Sequence, residues 1–342
     1  MKSLILATTI AVTAVIGSSS AAAKPKKIEV VATISTYGYL AQLIGGDRVH
    51  VVTLVRATQD PHFVRPKLSL VEKLARADLF IDTGLDLELW VPALQDSAGN
   101  KSILSGARGY VSASHGIALM DRVAHADRKE GDVHVFGNPH VYNDPILQKQ
   151  IATNIATGLA RVDPAGAATY KANLKKFKRR IDRALFGGEL VRLLGGAKLS
   201  KLARQNKLIP FLQEKSYKGK KLIDYLGGWM KLALPLRGKK VVAYHKNWAY
   251  FASLFGFEIV DYVEPKPGIP PSTRHIHDVA ETIGRHRIKV LLAATYYDTS
   301  KIDAVARRTG LAPVVVSIAA EPGTSDVFQV TDNILRRMVA AL

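Results

Sequence analysis

Apolar residues recur in short β-branched blocks separated by amphipathic stretches. The blocks Lys27–Ile34 and Val49–Val55 predict strands, because runs of Val, Ile and Thr suit a pleated, buried surface. Between them Tyr37–Ile44 predicts a helix closed by Gly45-Gly46, a C-terminal cap signal. Leu68–Ala77 is amphipathic, and Asp78–Thr83 reads as a buried strand. Further on, Asp278–Arg285 predicts a helix before a strand at Lys289–Ala294. Val314–Ile318 predicts a last strand, with Pro313 at its entrance, where a missing N–H is tolerated. Strands alternating with helices predict α/β architecture with a parallel sheet in each half, two Rossmann-like lobes in all. From Pro145 to Arg183, Ile146, Ile151, Ile155, Leu159, Leu174, Phe177 and Ile181 recur at helical spacing. That stretch predicts one long, rigid helix joining the lobes, with Asp163-Pro164 as the place where it restarts or kinks.

The halves share more than a pattern. Val30–Val49 aligns without gaps on Val241–Val260 at an offset of 211, with eight of twenty positions identical. The same offset lays Leu79–Ile81 on Val290–Leu292. An internal repeat sets the architecture, and a cleft between two such lobes, at the carboxyl ends of their strands, is the natural ligand site.

Composition adds three things. The 342 residues contain no cysteine, which excludes a disulfide scaffold, a thiolate metal site and a cysteine nucleophile, and leaves no thiol to carry a lipid. The formal net charge is +19, but Lys171–Lys240 holds 20 Lys+Arg against 4 acids, so the basicity belongs to the middle of the chain. Residues 1–23 have one early base, an apolar run Leu4–Ile16 and a small-residue end at Ala21–Ala23, the pattern of a cleaved signal peptide. Export to the periplasm as a soluble protein is therefore expected, with boundaries at 24–144 for the first lobe, 145–183 for the linking helix and 184–342 for the second lobe. Residues 185–229 match neither half and read as a basic insertion on the second lobe.

Three of the ten histidines stand in distinctive settings. His62 lies in Asp60-Pro61-His62 after a strand, His140 in Asn138-Pro139-His140 before the long helix, and His245 at the carboxyl end of strand Val241–Tyr244. Pro61 and Pro139 fix the backbone ahead of two of the imidazoles. Neutral imidazoles from both lobes meeting in one cleft suit Zn²⁺, with an acid or water as fourth ligand. By contrast, Gly45-Gly46 and Gly227-Gly228 lack the spacing and lysine of a phosphate loop and read as turns. Trp229 and Trp248 read as core aromatics.

These segments, with Asp144-Pro145, Tyr250-Phe251, Glu264–Ile269 and Thr83-Gly84-Leu85, make the chain resemble the zinc- and manganese-binding receptors of ABC importers. The resemblance covers residues 28–183 and 235–340. It implies two α/β lobes, a rigid linking helix, and metal held between the lobes by His62, His140 and His245. Histidine in the third position implies a leaning towards Zn²⁺, with Mn²⁺ as the other possibility. The fourth ligand implied is an acid in the loop after the last strand; Glu321 is the candidate, then Asp298, then water. Receptors of this kind often carry a His-rich acidic loop before the second ligand. Here Ser114–Phe136 has only His115, His125 and His134 among mixed charges, and reads as a solvated loop.

The expectation is a monomeric periplasmic receptor, not an enzyme, that captures a divalent metal and passes it to an ABC permease in the inner membrane, with no nucleic-acid role. Two other readings compete. A zinc hydrolase would need a general base beside a metal-bound water. No His-Glu-x-x-His helix is present, no acid adjoins His140 or His245, and Asp60 reads as a turn residue. An exported adhesion or interaction protein would use the basic middle segment.

Overall fold

The computed structural model describes residues 26–121, 134–266 and 268–342. The signal-peptide reading of residues 1–23 and the loop residue His125 lie outside them. The first lobe is built from β1 (Ile28–Ile34), α1 (Ser35–Gly45), β2 (Val49–Val55), α2 (Leu68–Ala75), β3 (Leu79–Asp82), α3 (Val91–Ala98) and β4 (Tyr110–Ser112). Helices α4 (Pro145–Val162) and α5 (Ala167–Phe186) follow. The basic segment holds α6 (Gly188–Leu194), α7 (Gly196–Arg204), α8 (Leu208–Glu214), the strands β5 (Ser216–Tyr217) and β6 (Lys220–Lys221), and α9 (Gly228–Leu232). The second lobe comprises β7 (Lys240–Ala243), α10 (Ala249–Phe255), β8 (Glu258–Tyr262), α11 (Thr273–His286), β9 (Leu291–Ala294), α12 (Thr299–Thr309), β10 (Pro313–Val316) and α13 (Val327–Ala340).

Each lobe carries a four-stranded sheet, ordered β2-β1-β3-β4 and β10-β9-β7-β8, with every pairing parallel. Read from its other edge, the second order is β8-β7-β9-β10, the same arrangement as the first. The 211-residue offset sets Ala32 on Ala243 and Ile81 on Leu292, and the strands bearing them occupy equivalent places in the two sheets. Val30, Ala32, Leu79, Phe80, Val241, Ala243 and Leu291–Ala294 are fully buried, as strands covered on both faces require.

The connection differs from the expected rod. Residues 145–183 form two helices folded back on each other, because Lys149 Nζ on α4 is bonded to Asp182 Oδ1 on α5. In one straight helix those residues would stand about 50 Å apart. The break falls at Asp163 (φ −129°, ψ 80°), where the proline ring of residue 164 disfavours a helical predecessor. The turn is then tied down: Arg48 clamps the Asp163 carboxylate at 2.7 and 2.8 Å. Helix α4 belongs to the first lobe, and α5 alone crosses. It starts against α1, where Asn173 Nδ2 donates to Ile44 O at 2.9 Å. Its middle passes beside α13, where Phe177 and Phe328 meet edge-on at 6.2 Å.

Chain returning from the basic segment passes so near the end of α5 that side chains are excluded. A Cβ on Gly187 (φ 82°) would lie 2.8 Å from Gly227 Cα, and one on Gly228 (φ 59°) 2.1 Å from Ala184 O. Gly227-Gly228 is thus a close-approach turn, and Trp229 beyond it is buried against Phe328.

Candidate metal centre

The loops after β2 and before α4 use one local device twice. In Asp60-Pro61-His62 the Asp60 Oδ1 accepts from the His62 backbone N–H at 3.0 Å and from the imidazole Nδ1 at 2.6 Å. In Asn138-Pro139-His140 the Asn138 Oδ1 accepts from the His140 N–H at 3.0 Å and from its Nδ1 at 2.8 Å. The proline fixes the turn, and the residue before it holds the ring that follows. Asp60 is therefore more than the turn residue expected. Trp90 Nε1 donates to Pro61 O at 2.8 Å and anchors the first loop from α3's side.

His245 follows β7 directly and is held by a short bond from Nδ1 to Glu264 Oε2, in the loop after β8. In all three residues Nδ1 is engaged. Such carboxylate or amide partners set the tautomer and the basicity of a metal-binding imidazole.

Ligand nitrogens of His62, His140 and His245 all lie within 4.8 Å of one another, and all three residues are buried. Their ring centroids form a nearly equilateral triangle of 5.2, 5.2 and 5.3 Å. His140 Nε2 and His245 Nε2 are fully buried and lack a hydrogen-bond partner among the described residues. An orphaned buried polar atom costs about 1–3 kcal/mol, so two of them facing one point mark a place built for a cation. Burial, reinforced by His62, His245 and His134, holds His140 well below the ordinary imidazole pKa. Burial also lowers His245, outweighing the opposite pull of Glu264. Both rings are accordingly neutral at neutral pH, the form in which an imidazole can bind a metal.

A fourth imidazole arrives from an unexpected source. His134 Nε2 lies 3.3 Å from His62 Nε2, and its Nδ1 is held by Asp86 Oδ1 at 3.0 Å. Asp86 Oδ2 also accepts from the backbone N–H of Val135 at 2.9 Å. The ring is partly buried, stacked on His62 at 5.3 Å and edge-on to His140 at 5.7 Å. His134 stands at the edge of the tight group of three, which does not include it.

Neither acid considered for the fourth position is in that group. Glu321 faces Arg56, with Oε1 3.5 Å from its Nε, and its backbone N–H bonds Ser325 Oγ. Asp298 caps α12 by accepting from Ser300 N at 2.9 Å, and those hydrogen bonds hold its carboxyl below the usual range. The loop after β10 does reach the other lobe, but by its backbone: Ala320 N–H donates to Thr36 Oγ1.

The centre is fixed from both sides. Asn138 Nδ2 donates to Lys246 O at 2.9 Å and Asn143 Nδ2 to Asn247 O at 2.6 Å. Tyr250 OH donates to Asn138 O at 2.6 Å. These bonds run from the His140 loop to the His245 loop and the start of α10, so the lobes meet beside these histidines.

Comparison with known proteins gives this geometry a family. The model of the family described as zinc-uptake complex component A, periplasmic, matches residues 30–185 and 211–341. The chain belongs to that family. Its match breaks off over 186–210, within the basic segment. Among curated relatives, the manganese ABC transporter substrate-binding lipoprotein scaA of Streptococcus gordonii is 29% identical over 48% of this chain and 51% of its own length. The iron ABC transporter substrate-binding lipoprotein MtsA of Streptococcus pyogenes is 30% identical over 53% and 57%. The chain thus spans only about half the length of these curated relatives. A crystal structure of ZnuA superposes with a TM-score of 0.68 at 22% identity, covering 92% of this chain and 99% of that one. The likeness confirms the two-lobed α/β fold.

Proposed function

We propose that this zinc-uptake family member is a periplasmic receptor that binds one Zn²⁺ through the Nε2 atoms of His62, His140 and His245 and hands it to an ABC permease. The observation carrying the reading is the convergence of buried imidazoles, each anchored through Nδ1, with two Nε2 atoms left orphaned. His134 is the fourth ligand in this reading, in place of Glu321 or Asp298. Nitrogens bound tetrahedrally at 2.0–2.1 Å sit about 3.3 Å apart, the separation of the His62 and His134 Nε2 atoms. Asp60, Asp86 and Glu264 stand behind three of the rings, so the dication's charge is balanced without a carboxylate touching it.

An all-imidazole shell favours Zn²⁺ over Mn²⁺, which prefers oxygen ligands and higher coordination. It also fits transport better than hydrolysis. Among the described residues the carboxylates nearest the rings are bonded to Nδ1 atoms, which leaves them unavailable as a base beside a metal-bound water. Delivery follows from family membership: the relatives named above are substrate-binding proteins of ABC transporters. Titration calorimetry on demetallated protein tests the reading. Expected are one tight zinc site, Mn²⁺ at least 100-fold weaker, and loss of both in His140→Ala. Manganese binding as tight as zinc would overturn it.

A further inference from the structure

From Lys198 to Lys221 the chain carries seven lysines and one arginine against a single acid, Glu214. The arginine is committed inward: Arg204 Nη1 bonds Asp144 Oδ2 at 2.8 Å. The lysines face out. Lys198, Lys201, Lys207, Lys215, Lys218, Lys220 and Lys221 are all exposed, and among the described residues only Lys215 forms an ion pair, with Glu214.

Three of them, Lys218, Lys220 and Lys221, lie on the β5–β6 hairpin, with Lys215 just before it. Its two-residue turn, Lys218-Gly219, has φ of 49° and 77°, the left-handed pair that a tight hairpin demands. Asn or Gly ordinarily fills the first of those places, because a side chain with a Cβ is strained there. Here a lysine occupies it, at the tip. Tyr217 beside it is 42% exposed. Tyr217 and Tyr225 meet edge-on at 6.4 Å, Lys218 Nζ lies 5.6 Å from the Tyr217 ring and Lys220 Nζ 4.7 Å from the Tyr225 ring.

We infer that this hairpin is a docking element for an anionic phospholipid surface. The chemistry selects that partner. Lysine is a mobile point charge suited to a smeared field of headgroups, whereas paired recognition of individual phosphates or acidic side chains favours the arginine fork. Exposed tyrosine suits the boundary between headgroups and acyl chains. The chain has no cysteine, and no helix among the described residues is long and apolar enough to cross a membrane. An electrostatic contact would keep a receptor near the bilayer that houses its permease while leaving it free to exchange. The inference needs the basic surface alone; only its use in delivery rests on the metal-receptor reading.

Sedimentation of the purified chain with vesicles of phosphatidylglycerol and phosphatidylcholine tests it, against pure phosphatidylcholine, at low and high salt. Expected is binding to the anionic vesicles only, lost at high salt. Each surface lysine strengthens such binding about fivefold. Lys218→Gln, Lys220→Gln and Lys221→Gln together should therefore weaken it about 100-fold, with zinc titration unchanged. The same loss of charge on α5, by Lys171→Gln, Lys175→Gln and Lys176→Gln, should weaken it far less. No vesicle binding, equal losses from both triple variants, or retention on an acidic protein matrix without vesicle binding would each overturn the inference. A failed zinc titration with intact vesicle binding would instead strike the metal reading.

Discussion

Each imidazole of the centre depends on one oxygen behind it. Losing that oxygen frees the ring to rotate and to change tautomer, a change that typically costs 10–100-fold in metal affinity. Asp60→Ala and Glu264→Ala should each lose that much by competition titration against a chelator. Glu321→Gln should move affinity less than threefold, since its carboxylate faces Arg56. His134→Ala should weaken zinc about 10–100-fold and open a position for water, visible as an oxygen in the X-ray absorption spectrum of the zinc-loaded protein. An unchanged four-nitrogen spectrum would remove His134 from the shell. His62 and His140 were legible because Asx-Pro-His is a compact local signal, and His245 because it directly follows a strand. His134 was not: it sits in a polar stretch, and its partner Asp86 lies 48 residues earlier. Glu321 was chosen from its loop's position in sequence, which does not say which of the loop's atoms faces the cleft; that loop reaches across through Ala320 N–H.

At the scale of elements, α4 begins under unusual constraint. Asp144 is fully buried, caps the helix through Ile146 N and Leu147 N, and pairs with Arg204 from α7. Burial pushes its carboxyl pKa up, against the pull of Arg204. Removing one partner of a buried pair leaves the other uncompensated, which costs about 3–5 kcal/mol. Arg204→Met should destabilise by about that much in urea unfolding and, because Asp144 is four residues from His140, lower zinc affinity too. Asp144→Asn should cost less, as it removes the buried charge itself. This contact gives the basic segment a structural duty. Strand blocks, helix caps and the repeat were readable from local pattern. The hairpin of α4 and α5 was not, since periodicity runs through Asp163-Pro164 almost unbroken and only tertiary contacts such as Lys149 with Asp182 reveal the reversal.

On the scale of the whole molecule, the proposed site would couple metal binding to folding, because its histidines come from both lobes. Zinc at a thousandfold excess over Kd should stabilise by about 4 kcal/mol and raise Tm by several degrees in scanning calorimetry, reversed by chelator. A Tm indifferent to zinc would count against the interlobe site. Stability should also depend on pH through acids beneath the centre. Burial, then the neighbouring Glu88, raises the Asp82 pKa, and burial raises Glu88. Such groups keep protons in the fold that the unfolded chain releases, so stability falls as pH rises from the ordinary carboxylate range through the raised one. Asp82→Asn should flatten that decline in urea titrations between pH 5 and 9.

The repeated sheet order has a consequence for how such a centre can arise. At the 211-residue offset His245 corresponds to Ile34, and His62 to Thr273. The two halves supply matching scaffolds but no matching pair of histidines. Each half holds histidines its counterpart lacks, so a single lobe, or two identical ones, would hold only part of the shell. Selectivity at the proposed site would then be a property of the difference between the halves, with the cation held where their symmetry fails.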